Sequence, residues 1–127
     1  MALTLDLPTS RQAERPYREI ENVLAQLRTQ VESRYNQKIA VLLLTTSKFD
    51  ADESPISHKY EVKLSFVYRH YTETVMELNC RVGQGYPVEV CAYRRVVGQA
   101  TTRAELEKLI ELVFLDQRTR NIILLNY

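Results

Sequence analysis

Cysteines and histidines are the natural starting points for chemistry, and this sequence holds two of each: Cys80 and Cys91, His58 and His70. A thiol nucleophile needs an adjacent base and an electropositive, accessible niche. Cys80 and His70 can meet only across neighbouring strands. No third group stands ready to orient the histidine, and Cys80 alternates with core residues. There is no CxxC, so both cysteines read as small core hydrophobes. His58 and His70 share a strand face, twelve residues apart. At the rise of a straight strand that is ~40 Å, too far to share a metal, and neither has a cysteine or acid at ligand spacing. Both are expected on the surface at strand ends. Glu73, Glu77 and Glu89 lie among Lys59, Lys63 and Arg81, the pattern of a solvated sheet face. Gly83-Gln84-Gly85 lacks the third glycine and the following helix of a dinucleotide loop and reads as a hairpin turn. No catalytic, cofactor-binding or metal-binding set is expected, and the chain reads as a non-enzyme.

One constellation mixes aromatics with arginines. Tyr68, Arg69, His70 and Tyr71 fall at a hairpin tip. Tyr93, Arg94 and Arg95 leave a later strand, and Arg103 opens a helix. Tyrosine and arginine anchor protein interfaces, and the same side chains stack bases and pair with phosphates. These eight residues form the candidate interaction patch. Proteins that neutralise phosphates usually carry a basic excess, whereas this chain has 17 basic and 16 acidic side chains, a formal net charge of +1. A protein partner, or a second copy in a homodimer, is therefore the expected ligand. Nucleic acid is the alternative, and a small ligand between sheet and helices is the second alternative.

The elements that position these residues follow from hydrophobic period. From His58 to His70, Tyr60, Val62, Leu64, Phe66 and Tyr68 alternate with Lys59, Glu61, Lys63, Ser65 and Arg69, with Val67 the one apolar exception. A period of two marks a strand buried on one face. The alternation resumes after a turn near 70–73 and runs to Val82. After Gly83-Gln84-Gly85, Val88, Val90 and Ala92 complete a three-stranded meander. Upstream, Ile39–Thr46 (IAVLLLTT) is apolar on both faces. It is expected to lie centrally in the sheet, or to be covered by the N-terminal arm or a partner. Residues 47–57 read as a loop.

Pro16 opens the first expected helix, since Arg15 before it is pushed out of helical geometry. Its stripe is Tyr17, Ile20, Val23, Leu24, Leu27, Val31 and Tyr35, and residues 1–15 are expected as an arm. Residues 94–100 read as a connection. Thr102 and Glu105 form a capping box ahead of a second stripe, Leu106, Leu109, Ile110, Val113 and Phe114. Residues 116–121 break that helix. The tail, 122–127, leans to a last strand on its β-branched content, a short third helix being the other reading. The sum is one two-layer α+β domain over residues 16–127, with two helices on one face of an antiparallel sheet of about four strands. With no basic leader at the N-terminus and no apolar run of ~20 residues, no membrane span is expected, and the cytoplasm is the expected compartment.

Two family patterns are similar to this order. Helix, antiparallel strands and helix is the order of double-stranded-RNA-binding domains, but those place a lysine-rich segment where this chain has Thr101-Thr102-Arg103-Ala104-Glu105. Gly85-Tyr86-Pro87, followed by VEVCAYRR and the Thr102 helix, resembles RWD domains and their ubiquitin-conjugating relatives. The proline that usually follows Tyr-Pro later is absent, and no cysteine stands at the conjugating position. The RWD resemblance implies a non-catalytic protein-binding module.

Overall fold

The computed structural model describes residues 10–127, and their side chains from Tyr17 onward. The order is α1 (Ser10–Arg34), β1 (Ile39–Phe49), β2 (Pro55–Phe66), β3 (Tyr71–Arg81), β4 (Gly85–Ala92), β5 (Arg95–Ala100), α2 (Arg103–Leu115) and α3 (Gln117–Asn126). The strands form one antiparallel sheet in the order β1-β2-β3-β4-β5.

The helical and strand periods explain the core. Ile20, Val23, Leu24 and Val31 of α1 and Leu106, Ile110 and Val113 of α2 are buried against Val41, Tyr60, Val62, Leu64, Phe66, Leu78, Val88 and Val90. The opposite sheet face carries Lys59, Glu61, Lys63 and Glu77, with Lys59–Glu61 paired at 3.3 Å. In β3 the register slips: Val62 faces Met76 but Lys63 faces Thr74. Val75 is the extra residue of a β-bulge, which lets the adjacent Val75 and Met76 both be buried.

Helix boundaries are set by local chemistry. α1 begins at Ser10, six residues before Pro16. A proline withholds one backbone N–H, and the packed stripe beyond it carries the helix regardless. The arm expected over residues 1–15 is thus helical from Ser10, and residues 1–9 lie outside the described residues. Asn36 and Gln37 end α1 in left-handed geometry. At α2, the Thr102 hydroxyl accepts the Glu105 N–H at 3.2 Å. The Glu105 carboxylate takes the Thr101 hydroxyl at 2.6 Å.

Further expectations need correction. Residues 95–100 are not a connection but the fifth strand, β5. Its bulge at Val97, between the pairs Val90–Gly98 and Cys91–Val96, disguises the alternation. The tail is helix α3, not a strand: Thr119 and Ile123 are buried one turn apart, the helical spacing. β1 is not central but an edge strand. The expected loop 47–57 shrinks to residues 50–54, because β1 extends to Phe49 and β2 starts at Pro55. There the Asp50 carboxylate accepts the N–H groups of Asp52 and Ser54, both at 2.9 Å.

Candidate interaction surfaces

In a meander, alternate turns share an end. The β2–β3 turn, 67–70, and the β4–β5 turn, 93–94, therefore lie at one end of the sheet. This groups seven of the eight patch residues: Tyr68, Arg69, His70, Tyr71, Tyr93, Arg94 and Arg95. Arg103 is the exception. The chain crosses the sheet once more through β5 before reaching it, so Arg103 sits at the opposite end, bonded to Glu107 at 2.9 Å.

The grouped end is built in two tiers. The last β2–β3 pair is Phe66–Tyr71, whereas the last β3–β4 pair is Glu77–Cys91. The β2–β3 hairpin thus overhangs the β4–β5 turn by about four residues, or ~13 Å. The step between them is an open groove of about 640 Å³, lined by Thr72, Thr74, Met76, Tyr93, Arg94 and Arg118 among others. Tyr93 and Arg94 both hold positive φ, 52° and 66°, as a two-residue hairpin turn requires and glycine or asparagine usually supplies. Two contacts from α3 fasten this turn. The Tyr93 hydroxyl bonds the Thr119 hydroxyl at 2.5 Å, and the Arg118 guanidinium lies 4.4 Å from the Tyr93 ring centre. Burial raises the Tyr93 hydroxyl pKa. Arg118 was hidden in the sequence because residues 116–121 read as a break. Lys38 joins the same end, since its carbonyl accepts the Val67 N–H at 3.0 Å.

A second surface is the free edge of β1. Pairing parity turns the N–H and C=O groups of Val41, Leu43, Thr45 and Ser47 away from β2, because the Lys38 carbonyl bonds β2's neighbour Val67. The first of these is covered: the Glu32 carboxylate accepts the Val41 N–H at 3.0 Å. From Leu43 to Ser47 the edge is open among the described residues. Leu42 and Leu44, on the sheet face away from α1, are 42% and 46% exposed, and Phe49 and Ile56 at the far end are exposed too.

A third cluster was not expected. His58 is half-buried rather than on the surface. Its ring stacks on Tyr17 at 4.0 Å, its Nδ1 bonds the Ser47 hydroxyl at 2.7 Å, and its buried Nε2 has no partner among the described residues. Burial lowers the His58 pKa, opposed by the nearby Glu21 carboxylate. Glu21 also takes the Tyr60 hydroxyl at 2.9 Å. Only the long-range pairing of α1 with β2 assembles this group, so no local sequence signal could have announced it. Cys80, opposite His58 in β3, is pushed up to about 12 by burial and then by Glu21. The Cys91 thiol is raised by burial and by its bond to Glu89. Both thiols are therefore held protonated, the weakly nucleophilic form.

Among the described residues, no group of three or more His, Cys, Asp or Glu side chains could hold a metal ion. No described helix is long and apolar enough to cross a membrane. No protein-family model, curated protein or solved structure matches this chain, so the two motif resemblances draw no support from those comparisons.

Proposed function

We propose that this chain is a non-catalytic interaction domain of the cytoplasm whose β1 edge pairs with β1 of a second copy. The observation that carries this reading is the open stretch Leu43–Ser47. Unpaired strand edges template further pairing, and proteins usually blunt them with charge, proline or cover. Among the described residues the cover ends at Val41, and Lys48 is the one charged residue in the strand. Leu42 and Leu44 beside the edge offer apolar area to the incoming strand. Two copies related by a two-fold axis would join their sheets antiparallel, the self-complementary arrangement of most homodimers. The free state of both cysteines suits a reducing compartment.

The test is size-exclusion chromatography with light scattering on the wild type and Thr45→Pro. Thr45 directs its N–H outward, so proline there removes an edge donor while sparing the β1–β2 bonds. The wild type is expected at twice the 14.8 kDa chain mass and the variant at the monomer mass with an unchanged circular dichroism spectrum. A monomeric wild type, or a variant that dimerises as well as the wild type, overturns the proposal.

A further inference from the structure

The two-tiered end of the sheet has a local basic excess despite the near-zero net charge. It carries Lys38, Arg69, Arg94, Arg95 and Arg118 against Glu73, Glu77 and Asp116. At the other end Lys48, Arg81 and Arg103 are matched by Asp50, Asp52 and Glu53. Tyr68 at the upper tier is 78% exposed and Tyr71 is 39% exposed. Below them, the guanidinium of Arg118 already lies over Tyr93, and two left-handed residues without glycine hold Arg94 at the groove mouth.

We propose that this end of the sheet binds single-stranded nucleic acid, independently of the β1 edge. The arginines on the two tiers take the phosphates, and Tyr68 and Tyr71 receive unstacked bases. Exposed rings favour a single strand, because the base faces of a duplex are occupied by their neighbours. The two carboxylates in the groove, Glu73 and Glu77, separate this ligand from an acidic peptide. They repel a polyacid along its length. A nucleotide chain instead presents neutral bases whose exocyclic amino groups donate to carboxylates, while its charge stays on the backbone. Thr72 and Thr74 add hydroxyls on the groove wall.

The experiment is fluorescence anisotropy of a labelled mixed-sequence single-stranded RNA titrated with the full chain over a range of salt. Unlabelled duplex and oligoglutamate serve as competitors. The variants are Arg94→Ala with Arg118→Ala, Arg69→Ala with Arg95→Ala, and Tyr68→Ala, each checked for its unfolding temperature; two arginine pairs guard against one failing to fold. The wild type is expected to bind with affinity falling linearly on a log–log salt plot. Each arginine pair should flatten that slope by about 1.4, roughly 0.7 per lost phosphate contact. Tyr68→Ala should weaken binding about five- to 150-fold, the worth of one stacked base. The site is overturned by an absence of binding at low salt or by folded arginine variants with wild-type slopes. It is equally overturned if duplex or oligoglutamate competes as well as single strand, which would mean plain backbone attraction or an acidic protein segment.

Discussion

The two edges of the sheet solve the same problem differently. β5 is six residues long, starts with Arg95 and is interrupted by the bulge at Val97. It lies under α2 so closely that a Cβ on Gly98 would meet Leu109 at 2.9 Å. Each of these devices discourages a further strand. β1 is eleven residues long, pairs with β2 in continuous register up to Lys48, and among the described residues is covered only at its start. Ile39 and Val41 are buried, whereas every residue from Leu42 except the half-buried Leu43 is exposed. Among the described residues the fold closes one edge with shortness, charge, bulge and helix, and leaves the other open over half its length.

The largest test of that asymmetry lies within β1 itself. Ile39 is fully buried, so Ile39→Ala should cost about 2–4 kcal/mol through lost transfer energy and the cavity left behind. Phe49, ten residues along the same strand, is 59% exposed, and Phe49→Ala should stay within about 0.5 kcal/mol. Urea unfolding at fixed protein concentration reads both. Comparable losses at the two positions would show that the far half of β1 is packed after all, and the edge comparison would fail.

The next effect concerns the cover. Glu32→Ala removes the carboxylate from the part-buried Val41 N–H, which should cost about 1.5–3 kcal/mol, the range for a hydrogen bond to a charged group. Hydrogen exchange at the Val41 amide should accelerate while the β5 amides stay protected. Unchanged protection at Val41 would mean that the carboxylate does not guard the edge.

What the sequence shows clearly is what repeats locally. The alternation from Tyr60 to Phe66, the two helical stripes and the Gly83–Gly85 turn all appear where their periods put them. Three things were illegible for one reason: they depend on which element lies next to which. β5 lost its alternation to the bulge at Val97. That error placed Arg103 beside Arg95, whereas a six-residue strand, ~20 Å long, separates them. The doubly apolar β1 suggested a central strand because hydrophobicity alone does not say whether a second face is covered. For the candidate site, the turn residues were readable from their chemistry. Arg118 and Lys38 were not, because they reach that end through the tertiary fold.

The smallest expected effect distinguishes the two edges by pH. The bare half of β1 is tied to β2 through Ser47 and His58. His58 meets Tyr17 and Glu21 from α1, Tyr60 on its own strand, and Cys80 from β3. If Nδ1 carries the proton and donates to Ser47, Nε2 is left as a buried bare acceptor, which costs less than a buried bare donor. Protonating Nε2 would create that donor, now charged, with nothing to receive it among the described residues. Burial accordingly holds the folded pKa below 6.5 against the pull of Glu21. The sign follows from linkage: as pH falls through 6.5 the unfolded chain gains a proton that the native state refuses, so stability falls. The loss grows until the folded pKa is reached and then levels off. The urea midpoint should therefore drop modestly from neutral to mildly acidic pH, with faster amide exchange, after correction for the intrinsic rate, at Thr46 and Lys48, whose N–H groups face β2, and none in β5, whose one ionisable side chain is Arg95. His58→Phe keeps a ring against Tyr17 and removes the titration, so its midpoint should be flatter over the same range. An equal slope in that variant would move the pH dependence to other groups, and acid would then no longer tell the open edge from the closed one.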